Sequence, residues 1–128
     1  MSLRSLKTVI RCADFDRSRD FYARVLGLAV AQEWKEPEGR GCIFAIGGAG
    51  LEIYGMTRLD PRFREEFTLP LEGDKIDLQI RADSVDAWAE RLRGLWPFEG
   101  PADLPWGQRW IQLRDPDGVL IALYQEKG

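Results

Sequence analysis

The sequence predicts an α+β fold of two tandem βαβββ modules, whose curved mixed sheets surround a concave cavity. Three observations predict it. Strand-like and helix-like runs follow in the order β-α-β-β-β, then a polar stretch, then β-α-β-β-β again. Leu51-Glu52-Ile53-Tyr54 closes the first run and Ile121-Ala122-Leu123-Tyr124 the second, at an offset of 70 residues (121 − 51). The same offset joins Ile10-Arg11-Cys12-Ala13 to Ile80-Arg81-Ala82-Asp83, and Asp14-Phe15-Asp16 to Ser84-Val85-Asp86. Matches at both ends of each run argue for a duplicated module.

Each element has its own signal. Residues 8–12 read as a strand. Asp16 or Ser18 caps a following helix, on which Phe21, Tyr22, Val25 and Leu26 recur at helical spacing before Gly27 stops it. Strand-like runs come at 28–34, 42–46 and 51–54, the latter two joined by Gly47-Gly48-Ala49-Gly50. Residues 57–73 are polar and proline-containing and read as a linker with one helical turn. Residues 76–82 then alternate like a half-buried strand, and Ser84 or Asp83 caps a helix carrying Val85, Trp88, Ala89 and Leu92. Gly94 ends it. Strands are expected again at 95–98, 109–113 and 119–124, with the turn Asp115-Pro116-Asp117-Gly118 between the last two. The organisation expected is a single domain over 1–128, with module 1 at about 5–56, the linker at about 57–73 and module 2 at about 74–126.

Composition narrows the function. At 128 residues, 45% hydrophobic and 30% charged, the chain fits one ordinary globular core. The net charge of −3 comes from interspersed acids and bases, so no basic stripe exists to neutralise phosphates and nucleic acid is not an expected partner. Met1-Ser-Leu-Arg-Ser-Leu-Lys7 lacks the apolar core of a signal peptide, and no later apolar run is long enough to span a bilayer. Cys12 and Cys42 lie among apolar or β-branched neighbours and read as buried, reduced thiols, pointing to the cytoplasm. Histidine is absent, which removes the commonest transition-metal ligand and the usual general base near neutral pH.

Strand periodicity sorts the side chains into two faces. Ile10, Cys12, Leu51, Ile53, Leu78, Ile80, Ile111, Leu113, Ile121 and Leu123 form the apolar set that should face the helices. Lys7, Val9, Arg11, Glu52, Tyr54, Asp77, Gln79, Arg81, Trp110, Gln112, Ala122 and Tyr124 form the opposite set. Its mixture of polar and aromatic groups suits a ligand pocket. It also suits the solvated face of an antiparallel sheet.

Asp14-Phe15-Asp16-Arg17-Ser18-Arg19-Asp20-Phe21-Tyr22 with Val25-Leu26-Gly27-Leu28 is similar to the first strand-to-helix segment of the vicinal oxygen chelate superfamily. Pro105-Trp106-Gly107-Gln108-Arg109 and Asp115-Pro116-Asp117-Gly118 resemble its closing hairpin. That superfamily includes glyoxalase I, extradiol dioxygenases, fosfomycin-resistance enzymes and bleomycin-resistance proteins. In its metal-dependent members one ligand stands on the first and one on the last strand of each module. The resemblance carries those positions onto Lys7 and Glu52, and onto Asp77 and Ala122. An ammonium and a methyl group are not metal ligands, so no metal and no cofactor are expected. Lys7 is expected either to pair with Asp77 where the metal would sit or to extend into solvent.

The resemblance is strongest to the metal-free bleomycin-resistance branch, whose members sequester a flat, positively charged drug and form intertwined dimers. It therefore implies a homodimer, with modules paired within a chain or swapped between chains, and a small-molecule ligand. Trp34, Trp106 and Trp110 are candidates to stack an aromatic ligand, whereas Trp88 and Trp96 are expected in the core. With Lys7, Arg11, Glu52, Tyr54, Asp77, Gln79, Arg81, Gln112 and Tyr124 they complete the expected binding set. Three functions remain open: sequestration of a small aromatic molecule, an enzyme, or a subunit using its sheet only to dimerise. The enzyme would be an acid–base isomerase or lyase with Glu52 or Asp77 as base, or a divalent-metal lyase or dioxygenase using both carboxylates.

Overall fold

The computed structural model describes residues 1–56, 67–68 and 71–127, and the chain divides into two compact units, Met1–Pro70 and Leu71–Gly128. Most of the expected linker lies outside the described residues. In the first unit β1 (Lys7–Arg11) leads into helix α1 (Phe15–Asp20) and a π-helical turn (Phe21–Val25). β2 (Ala29–Lys35), β3 (Gly39–Ile46) and β4 (Ala49–Met56) follow, and the sheet order is β1-β4-β3-β2. β1 runs parallel to β4, and the remaining pairs are antiparallel.

The first helix starts earlier than expected. Asp14, not Asp16 or Ser18, is the cap, and its carboxylate accepts the Arg17 N–H at 3.2 Å. Asp14 is the residue still extended as the chain leaves β1 (φ −131°), which is the backbone a cap requires. Asp16 lies inside the helix, where its carboxylate takes the Arg40 guanidinium at 2.7 Å. Phe15, Ser18, Phe21, Tyr22 and Val25 are buried on the helical side. Opposite them Ile10, Cys12, Cys42, Phe44, Leu51 and Ile53 are buried on the sheet. Tyr22 stands between Phe21 and Phe44, with ring centroids 4.9 and 5.7 Å away. Each such side chain, fully buried, contributes roughly 1.5–3 kcal/mol. Both cysteines are buried and outside any disulfide, the Cys12 thiol donating to the Tyr54 carbonyl at 3.3 Å, and burial, with a smaller contribution from Glu33, pushes the Cys42 thiol above its ordinary value.

The second unit repeats the plan with β5 (Leu78–Arg81), α2 (Val85–Leu92), β6 (Glu99–Asp103), β7 (Gln108–Arg114) and β8 (Leu120–Glu126). Its sheet order, β5-β8-β7-β6, is equivalent to that of the first. The 70-residue offset survives at the level of individual partners. Thr8↔Leu51, Val9↔Glu52, Ile10↔Ile53 and Arg11↔Tyr54 recur as Leu78↔Ile121, Gln79↔Ala122, Ile80↔Leu123 and Arg81↔Tyr124. Each helix is also tied to the third strand of its unit by one arginine, through Arg40–Asp16 and Arg109–Asp86. Ser84 caps α2 by accepting the Ala87 N–H at 3.1 Å.

The expected strand at 95–98 is not one. Gly94 adopts φ +78°, and the N–H groups of Leu95 and Trp96 both donate to the Leu92 carbonyl, so the apolar run coils onto the end of α2. The strand falls instead on Glu99-Gly-Pro-Ala-Asp103, a segment poor in strand formers that pairs with β7. Trp88 and Trp96 are half-buried rather than enclosed in the core. The Arg91 guanidinium lies 5.2 Å over the Trp88 ring, and the Trp96 indole donates to the Arg114 carbonyl at 2.8 Å. The 115–118 turn is held by buried Asp115, which accepts from the N–H groups of Asp117 and Val119 at 2.8 and 2.9 Å. Among the described residues no helix is long and apolar enough to cross a membrane.

Candidate functional site

Side-chain alternation sets each sheet's second face, and strand register arranges that face in rows. In the first unit one row runs Arg11, Tyr54, Gly41, Trp34, and the next runs Val9, Glu52, Ile43, Gln32. Trp34 lies over Gly41: a β-carbon there would stand 2.0 Å from the indole. The missing side chain lets the ring rest on the strand, and Tyr54 is in turn 6.0 Å from Phe67. Periodicity could not reveal this, because Gly41 carries no side chain to count. In the second unit the corresponding rows are Arg81, Tyr124, Trp110, Ala102 and Gln79, Ala122, Gln112, Glu99. Both faces therefore present arginine, tyrosine and tryptophan in one row, although the tryptophan stands on different strands.

Trp106, 64% exposed in the turn between β6 and β7, meets Trp110 edge-on, with centroids 6.1 Å apart and an 83° interplanar angle. Its indole donates to Gln108 Oε1 at 3.0 Å, and Gln108 Nε2 donates to Glu126 Oε1 at 2.9 Å. The sequence marks Gln108 only as part of the Trp-Gly-Gln-Arg turn and Glu126 not at all, since nothing along the chain signals a contact that spans 18 positions. Asp77 precedes β5 and accepts from Gln79 Nε2 at 3.3 Å.

Lys7 does not extend free into solvent and does not take Asp77 as its partner. Its ammonium lies 2.7 Å from Glu52 Oε1 within the first sheet. The register places Lys7 beside Gly50, two residues before Glu52 along β4, and the long lysine stem spans that offset. Glu52 is one of three buried polar residues among those described, and a buried carboxylate requires a partner of opposite charge. A cavity of about 440 Å³ opens on the second unit, but Arg93, Gly94, Leu95, Trp96, Pro97 and Phe98 line it, and none of the expected site residues does.

Residues 4–123 match the family model described as Glyoxalase/Bleomycin resistance protein/Dioxygenase superfamily. The chain belongs to that superfamily. It is 31% identical over 118 residues to the uncharacterized protein YraH of Bacillus subtilis (strain 168), covering 88% of this chain and 90% of that one. Its fold matches TnmS3, an antibiotic binding protein from Streptomyces sp. CB03234, with a TM-score of 0.72, 27% identity and coverage of 98% of both chains. It also matches a bleomycin-binding protein solved with bleomycin, with a TM-score of 0.62, 20% identity and coverage of 97% and 99%, a likeness of fold.

The superfamily's metal-dependent members would place ligands at Lys7, Glu52, Asp77 and Ala122. These residues do not fit a transition metal. In the first unit Glu52 already holds an ammonium at 2.7 Å, and a cation there repels a metal ion directly. In the second, Ala122 is fully buried between Gln79 and Gln112 in the sheet and has no donor atom. Among the described residues no three His, Cys, Asp or Glu side chains are grouped to hold a metal ion.

Proposed function

We propose that this chain binds and sequesters a small, planar aromatic molecule on the second faces of its sheets, with no transition metal at the superfamily's ligand positions. The carrying observation is the repeated Arg-Tyr row completed by a tryptophan, Trp34 in one unit and Trp110 in the other. Such a row offers a flat apolar surface with a guanidinium at its end, which suits a ring bearing oxygen or nitrogen acceptors. The pairing of Lys7 with Glu52 supports the absence of a metal. TnmS3, described as antibiotic binding, supports sequestration as the use of this fold.

The first measurement is the metal content, by mass spectrometry, of tag-free protein purified without chelators. Near-stoichiometric transition metal overturns the proposal. Titration with planar aromatic compounds by calorimetry comes next, and Trp110→Ala should weaken binding about tenfold with little change in melting temperature. A large loss of stability would make Trp110 a core residue instead.

One observation favours a second reading, an acid–base isomerase or lyase: Glu52 is a buried carboxylate on the face that also carries Tyr54 and Trp34. There Glu52→Gln would abolish turnover, whereas for a sequestering protein there is no turnover to lose. The same proposal includes a cytoplasmic homodimer. The outer strand β2, exposed along most of its length with Val30 40% exposed, offers an edge for a second copy. A monomer mass by light scattering at micromolar concentration would remove the dimer.

A further inference from the structure

The third strand of the first sheet presents bare backbone to the second face. Gly39 and Gly41 flank Arg40, whose side chain points the other way, to Asp16, with its guanidinium 4.5 Å over the Phe15 ring. Both glycines are nevertheless buried, because aromatic rings take the space that their side chains leave. Tyr54 covers Gly39, where a β-carbon would meet its hydroxyl at 2.6 Å, and a β-carbon at Gly41 would fall within the Trp34 indole.

The two covers differ in how they are held. Tyr54 stands on β4, between β1 and β3, and its ring lies 6.0 Å from that of Phe67. Trp34 stands on β2, the outer strand, and is the only residue of that strand that is not exposed. Among the described residues no strand pairs with the far side of β2. Rotation about the side-chain bonds of Trp34 therefore carries the indole off Gly41 and into solvent without moving the sheet. The second unit exchanges the two positions. Its tryptophan, Trp110, stands on the inner strand β7, and the small residue paired with it, Ala102, stands on the outer strand β6. A ring flanked by strands on both sides is a wall, whereas a ring at the edge, laid over bare backbone, is a cover.

We infer that Trp34 is a lid. The indole fills the ring-binding place of the first face in the free chain, and a planar ligand ring settles there only after the indole leaves Gly41. The inference rests on the proposed binding of aromatic molecules to these faces. Gly41 makes the lid possible, since any side chain at that position props the indole away from the strand. The affinity of the first face is then lowered by the fraction of time the indole is open, a reduction that the Trp110 face does not carry.

The test titrates the isotope-labelled full chain with 2-naphthol, a neutral planar probe, and follows the Trp34 and Trp110 indole N–H groups and the Gly41 α-protons by NMR. An indole over Gly41 shifts those α-protons upfield in the free chain, and probe binding should return them to their ordinary position. Gly41→Ala should tighten the affinity reported by Trp34 about fivefold, the gain for a site open about one-fifth of the time. The affinity reported by Trp110 should not change. The lid is overturned if the α-protons are not upfield in the free chain, or if they stay upfield while the Trp34 signal saturates. It is also overturned if Gly41→Ala binds no tighter, or if the probe moves Trp110 alone in both chains. All of these outcomes leave aromatic binding intact. A probe that moves neither indole in either chain overturns both readings. The α-proton signals of the native chain decide the case where Gly41→Ala is too unstable to titrate.

Discussion

Replacing Lys7 with methionine keeps most of the apolar stem and removes the charge from Glu52, which isolates the ion pair. At the observed 2.7 Å the attraction is about 1.5 kcal/mol at the dielectric of water and roughly 6 kcal/mol at an effective value near 20. The environment lies between these limits, because the Lys7 side chain is 53% exposed and that of Glu52 only 12%. Lysine therefore pays little for burial, while the carboxylate has given up most of its water. Lys7→Met should then cost about 1–3 kcal/mol, most of it the penalty of a buried charge left without a partner. For a chain of this size that is a fall of several degrees in melting temperature. Glu52→Gln alone should cost less, since the ammonium can turn to water. The double variant should recover most of the Lys7→Met loss, giving a coupling of about 1 kcal/mol in a cycle measured by urea denaturation. If Lys7→Met changes stability by less than about 0.3 kcal/mol, or if the two losses simply add, the pair is a surface contact. Glu52 would then be open to a cation other than Lys7, a metal ion included.

Asp115→Ala removes a buried acceptor for two backbone N–H groups of a half-buried turn and should cost about 1–3 kcal/mol; an unchanged urea midpoint would refute the role given to that side chain. Asp103 is held below the ordinary carboxylate range, first by its hydrogen bond from Arg109 and then by Lys127. Its contribution is therefore present above the unfolded value near 3.9 and lost as pH falls through the lower folded value, so Asp103→Asn should flatten the acid limb of stability below about pH 4. Cys42 behaves in the opposite sense: its raised folded value makes its contribution complete below the unfolded thiol value and lost as pH rises through the folded one. Both thiols should resist a disulfide reagent in the native chain and react together on unfolding, and rapid native reaction would contradict their burial.

What the sequence determined by itself is the duplicated βαβββ plan and the division of each strand into two faces. Both follow from local rules. Alternation fixes which of Ile53 or Tyr54 points to the helix, and a repeated module repeats its register, so Ile10↔Ile53 reappears as Ile80↔Leu123. That Arg11 and Tyr54 share a face, as do Arg81 and Tyr124, was legible for the same reason, whereas their being register partners was not. Errors arose where local signals compete. Asp14, Asp16 and Ser18 are all acceptable caps, and only the point at which the backbone leaves β1 selects Asp14. The apolar run at 95–98 has strand composition, yet the turn at Gly94 folds it onto α2 and leaves pairing to the unpromising Glu99–Asp103.

Tertiary structure alone decided the chemistry of the faces. Lys7 meets Glu52 because parallel pairing brings together residues 45 apart, leaving Asp77 with Gln79 instead. Trp34 lies flat because Gly41, on the neighbouring strand, supplies no side chain beneath it. Gln108 links Trp106 to Glu126 because a hairpin closes an 18-residue separation. Periodicity reports the direction in which a side chain points. Which groups then come within bonding distance depends on pairing and on the space left by absent side chains, and neither is written in the spacing of residues along one strand.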